Sequence, residues 1–99
     1  MYELQYSKPS SVNDAVDEIK KSSDAIFLAG GMTMIPTLKA RLSSADLLVD
    51  LKGANLNNIS VSSSEIVVGS MTRHCDVASS SDIKASLPAL AKLAGGIGD

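Results

Sequence analysis

Tyr2, Leu4 and Tyr6 alternate with polar residues, which predicts a short strand ending at Pro9, because proline cannot donate to a ladder. Ser11 then reads as a helix N-cap with Asp14 in the first turn, and Val12, Ala15, Val16 and Ile19 recur at helical spacing to about Lys21. Ala25 to Ala29 is a continuous apolar run between Asp24 and Gly30, the pattern of a strand covered on both faces. After two adjacent glycines, Met34, Ile35, Leu38 and Leu42 form one helical stripe, with Pro36 tolerated in the first turn and an end near Ser43. Leu47 to Leu51 is another apolar run, so residues 1 to 51 read strand, helix, strand, helix, strand. This is the order of a small parallel α/β lobe.

The pattern changes beyond Gly53. Ile59 and Val61 alternate with serine and asparagine, and Ile66 to Val68 follow the turn at Ser62-Ser63-Ser64, which predicts a hairpin. Thr72 is placed to cap a short helix through Val77 and Ala78. Ser86 is placed to cap another, with Pro88 early, Leu87, Leu90, Ala91 and Leu93 on its apolar face, and Gly95-Gly96 as its stop. The closing GGIGD is turn chemistry. The fold class is therefore α/β (α+β): a βαβαβ lobe over 1–53, then the start of a second, strand-rich lobe over 54–99.

Composition narrows the function. With 99 residues, 44% hydrophobic and 3% aromatic, the chain supports at most one domain, whose core rests on Ala, Val, Ile and Leu. The net charge of -2 and the lone cationic doublet Lys20-Lys21 lack the basic stripe of a nucleic-acid binder. One cysteine and one histidine supply no zinc or iron–sulfur ligand set, so redox chemistry needs a borrowed cofactor. No membrane span and no signal segment are read from the sequence, and the expected location is cytoplasmic.

The glycine pair carries the sharpest candidate chemistry. A strand that ends in Gly30-Gly31 and feeds a helix presents free amides at the positive end of the dipole, where a phosphate fits. Glycine removes the Cβ that would hold a pyrophosphate away, and the Thr33 hydroxyl adds a donor. A plain tight turn fits the same local pattern. The spacing is neither GxGxxG nor a Walker A loop.

Four segments carry a resemblance. "AGGMTMIPTLKARL" resembles the AGG-x-S/T-L-[IL]-P-x-[LM]-K-x-R-L segment of the FAD-binding medium subunits of molybdenum hydroxylases, the group of aerobic carbon monoxide dehydrogenase and xanthine dehydrogenase. "VGSMTRHCDVASS", "LPALAKLAGGIGD" and "LQYSKPSSVNDAV" are similar to further segments of that family, in the same order along nearly the whole chain. The resemblance implies a p-cresol methylhydroxylase (PCMH) type FAD-binding fold, incomplete here, because the family continues into a second flavin loop, Q-x-R-N-x-G-T-I-G-G. It assigns Ala29, Gly30, Gly31, Met32, Thr33 and Met34 to the FAD pyrophosphate, with Met32 standing where the family commonly has His or Gln. It implies an oxidoreductase subunit that passes electrons from iron–sulfur clusters through FAD to an acceptor. Its partners would be a molybdenum subunit and a [2Fe-2S] subunit. The alternative is a truncated, non-catalytic domain that keeps the fold without flavin and self-associates as a homo-oligomer or binds a partner subunit. By either reading, these residues alone are not expected to be catalytically competent.

The remaining chemistry-bearing residues read as structural. His74 has no paired serine or carboxylate, and Cys75 reads as an inert small residue. Asp14, Asp17 and Glu18 read as a solvated helix face, and Met34 and Met71 as core filler.

Overall fold

The computed structural model describes residues 1 to 98, in two compact units, one over Met1–Asn55 and one from Leu56 onward. In the first unit β1 (Gln5–Ser7), β2 (Ala25–Leu28) and β3 (Leu47–Asp50) form a parallel sheet in the order β1-β3-β2. Helices α1 (Val12–Ile19) and α2 (Met34–Lys39) make the connections between these strands. The parallel βαβαβ lobe expected from the apolar runs is present. Ser11 caps α1 as anticipated, its hydroxyl accepting from the Asp14 amide at 3.1 Å.

Two clusters sandwich the sheet. Leu28, Leu38, Ala45 and Leu48 pack with Ile26, Met34 and Ile35 around α2, while Ala15, Leu47 and Val49 pack with Ile19, Ala25 and Leu51 around α1. The strand covered on both faces is β3, every residue of which is buried. Residues 25 to 29 were expected to hold that place, but β2 lies at the sheet edge and Phe27 is 43% exposed. The apolar run alone did not distinguish the middle strand from its neighbour.

Helix α2 is shorter than its stripe. It stops at Lys39, where Arg41 takes the left-handed conformation (φ +57°), its amide donating to the Leu38 carbonyl and that of Leu42 to the Thr37 carbonyl. These two bonds make a Schellman cap with arginine where glycine is usual. The cap turns Leu42 out of the stripe to 80% exposure, and the Arg41 guanidinium lies 5.0 Å over the Tyr2 ring.

The second unit holds an antiparallel hairpin, β4 (Ile59–Val61) and β5 (Ile66–Val68), and three helices, α3 (His74–Ser79), α4 (Ser81–Ser86) and α5 (Pro88–Gly95). Its core is Val77, Ile83, Ala91 and Ala94, with Ile59, Val61, Ile66 and Leu90 packed against it. Ser62 organises the hairpin turn by accepting from the amides of Ser64 and Glu65. Gly69 is required by close approach, since a Cβ there would lie 2.2 Å from the Leu56 carbonyl oxygen.

Several details here depart from the expectation. Thr72 does not cap α3: Arg73 is the N-cap, without a side-chain cap bond, and the Thr72 hydroxyl is buried with no partner among the described residues. Helix α4, absent from the sequence reading, is capped by Ser80, whose hydroxyl accepts from the Ile83 amide at 3.3 Å. Ser86 therefore ends α4 and does not begin α5, whose N-cap is Leu87. The buried face of α5 is Ala91 and Ala94, with Leu93 turned outward. The last residue of GGIGD, Asp99, lies outside the described residues.

Candidate functional site

The loop joining β2 to α2 begins at Ala29, directly after the buried Leu28, and continues through Gly30, Gly31, Met32 and Thr33 into Met34, the first residue of α2. Both glycines have positive φ, +75° at Gly30 and +84° at Gly31, which lets the chain reverse from strand to helix within two residues. Their surroundings differ. A Cβ at Gly31 would lie 2.9 Å from Ile35 Cγ1 and 3.3 Å from Leu28 Cδ1, so Gly31 is the packing glycine that seats the helix on the strand. A Cβ at Gly30 would meet nothing within 4 Å, so its bare backbone faces open space.

The hydrogen-bond ladder of α2 starts late. The Gly31 carbonyl accepts from the Ile35 amide at 3.0 Å, and the amides of Met32, Thr33 and Met34 have no backbone acceptor among the described residues. Thr33, the N-cap, makes no cap bond with its own hydroxyl, although its carbonyl accepts from both the amide and the hydroxyl of Thr37. The first turn of α2 carries no acidic residue, and its last turn carries Lys39. Pro36 fits this turn because it brings no amide hydrogen of its own. The six residues singled out in the sequence thus form one continuous exposed loop, apart from the buried Gly31 and half-buried Met34, with donors unspent and no carboxylate in the first turn.

Beside this loop, at the carboxyl edge of the sheet, lies a group the sequence reading did not select. Asp50, the last residue of β3, is 8% exposed and pairs in register with Leu28. Its Oδ2 accepts from the Tyr6 hydroxyl of β1 and its Oδ1 from the Lys52 amide at 2.9 Å. The hydrogen bond to Asp50, followed by desolvation and the nearby negative charge, holds the Tyr6 phenol above its ordinary pKa. An aspartate ending an otherwise apolar strand run was the available signal.

His74 and Cys75 are exposed at the start of α3, and the described residues hold no group of three His, Cys, Asp or Glu side chains able to bind a metal. No described helix is long and apolar enough to cross a membrane.

A parallel sheet whose crossover helix follows an open glycine and three amides without backbone acceptors defines an α/β lobe with a donor-bearing loop at the carboxyl ends of its strands. The chain belongs to the family described as the FAD binding domain in molybdopterin dehydrogenase, which matches residues 2–99. It is 37% identical over 98 residues to the carbon monoxide dehydrogenase medium chain of Hydrogenophaga pseudoflava, covering 97% of this chain and 34% of that one. It is 31% identical over 98 residues to the glyceraldehyde dehydrogenase medium chain of Sulfolobus acidocaldarius, covering 98% and 35%. Among solved structures, carbon monoxide dehydrogenase from Hydrogenophaga pseudoflava lacking the Mo-pyranopterin moiety superposes with a TM-score of 0.88 at 36% identity, over 99% of this chain and 35% of that one. The chain spans about a third of the length of these relatives. FAD, the cofactor implied by the quoted segments, is the cofactor of the family.

Proposed function

We propose that Ala29, Gly30, Gly31, Met32, Thr33 and Met34 hold the pyrophosphate of FAD, and that the chain supplies the first flavin-binding portion of a PCMH-type domain in an electron-transferring subunit. The observation that carries this reading is the open backbone at Gly30 beside three amides without backbone acceptors. Amides aimed at phosphate oxygens form charge-assisted hydrogen bonds, stronger than neutral ones, and the dipole of α2 adds to them. Gly30 admits the ligand to the backbone, Gly31 holds the helix start against Leu28 and Ile35, and the Thr33 hydroxyl is available as a further donor. Met32 brings no polar side chain to this contact, so recognition there falls to its amide. When bound, the flavin supplies the redox chemistry, and the protein's part is to fix it in place.

In this reading the chain works beside a molybdenum subunit and a [2Fe-2S] subunit and passes electrons through FAD to an acceptor. The relatives' designations as medium chains of dehydrogenases support a division of labour among chains. The expected location stays cytoplasmic, in keeping with a lone exposed cysteine.

The test is titration of the purified chain with FAD, followed by flavin fluorescence and calorimetry, beside Gly30→Ala. The wild type should bind saturably. The added methyl, standing in the ligand's approach, should weaken binding at least tenfold, or about 1.4 kcal/mol. Absence of saturable binding in the wild type, or equal binding by a folded Gly30→Ala, would overturn the reading.

A further inference from the structure

We propose that Tyr6 and Asp50 form a latch that sets the position of the Gly30-Gly31 loop, which makes both of them positioning residues for the site; the link to a cofactor rests on the FAD reading above. Asp50 is the one buried charged side chain among the described residues, and neither of the ion pairs found there involves it. Its charge is met by one phenol hydroxyl and one backbone amide. A buried carboxylate without a cation is costly to keep and depends strongly on each donor it retains.

The latch reaches the glycine loop through short steps. Tyr6 lies opposite Leu48, so it shares a sheet face with Leu48, Asp50 and Leu28, the face packed by α2. Its hydroxyl reaches one row forward to Asp50, tying the end of β1 to the end of the middle strand. Asp50 is paired with Leu28, the last residue of β2. The Leu28 side chain lies 3.3 Å from where a Gly31 Cβ would sit. A second tie joins the segments that follow β1 and β3: Gly53, three residues after Asp50, packs so closely on the turn after β1 that a Cβ would lie 2.9 Å from the Pro9 carbonyl oxygen. Through Asp50, the strand ends of β1, β3 and β2 are registered to one another where the loop departs.

The experiment measures amide exchange by NMR on the chain without ligand, for wild type, Tyr6→Phe and Asp50→Asn, with FAD titrations of all three in parallel. The phenylalanine keeps the exposed ring, and the asparagine keeps the shape of the buried side chain. A hydrogen bond to a charged group is strong enough that its loss should speed exchange roughly tenfold at Ile35 and Thr37, whose amides donate to the loop carbonyls of Gly31 and Thr33. Residues 56–98 should be unaffected, and α1 should change less than the loop. A role confined to general stability would speed exchange evenly over residues 1–55, and that result, or an unchanged loop, would overturn the latch. If the wild type bound FAD and both variants bound it as tightly, the latch would also be overturned. Faster loop exchange in the two variants, where the wild type itself binds no FAD, would sustain the latch and overturn only the cofactor reading.

Discussion

Gly30 and Gly31 have similar backbone angles and opposite surroundings, so substitution should separate their roles. Gly31→Val drives a branched side chain into Ile35 and Leu28 at a positive φ. Left-handed strain of about 1–2 kcal/mol and overpacking of about 1–3 kcal/mol should lower stability in urea melts by about 2–5 kcal/mol. Gly30→Ala should cost only the strain, about 1–2 kcal/mol, while blocking the ligand's approach. For a binding assay Gly30 is thus the cleaner position, since Gly31 confounds affinity with folding. Tyr6 gives a pH-dependent expectation. Its folded pKa is raised above the ordinary 10.0, so the stability it contributes is fully present below about pH 10 and is lost as pH rises through the higher folded value. The difference in melting temperature between wild type and Tyr6→Phe should be constant from neutral pH to near 10 and close above it. A gap that stayed open would show that the phenol's proton is not involved. At this scale the glycine pair was legible in the sequence because its spacing is local. The division of labour between the two, and the Tyr6–Asp50 pair 44 residues apart, were not, because both depend on which strands become neighbours.

The elements follow local rules wherever a cap or a period is unambiguous, as at Ser11 and along the Ile59–Val61 and Ile66–Val68 hairpin. They depart where two local signals compete. Helix α2 carries an apolar stripe that runs to Leu42, yet a Schellman cap built on Arg41 ends it first. In the second unit, Ser86, the expected N-cap, does not serve, since Leu87 precedes a proline and is kept from helical geometry, and Ser80 caps α4 instead. Ser80→Ala should cost about 1 kcal/mol in a thermal melt, and Ser86→Ala much less. Leu38, 1% exposed, anchors α2 to the sheet, and Leu38→Ala should cost about 2–5 kcal/mol. If Leu38→Ala proved neutral, α2 could not be the rigid support that the glycine loop requires.

Over the whole molecule, each compact unit has its own buried cluster set, α1 and α2 on a parallel sheet in one and three helices with a hairpin in the other. Gly69→Ala would force a methyl onto the Leu56 carbonyl and should loosen the second unit. Amide exchange should then rise over residues 56–98 while the β1-β3-β2 sheet stays protected, and a uniform rise would show that the two units unfold as one. The candidate loop lies wholly within the first unit, so this variant should leave a test of FAD binding interpretable.

The sequence by itself determined the βαβαβ order, the hairpin, the glycine loop at a helix start and, through four matching segments, the family and its cofactor. These are short-range properties, carried by periodicity, caps and motifs. Only the tertiary structure decided that β3 and not β2 is the middle strand, that Leu42 and Leu93 face outward, and that Gly30 is open while Gly31 is packed. It also brought a buried aspartate and a tyrosine together at the carboxyl edge. Those outcomes depend on strand order and on which faces meet, and no residue's local pattern encodes its distant neighbours.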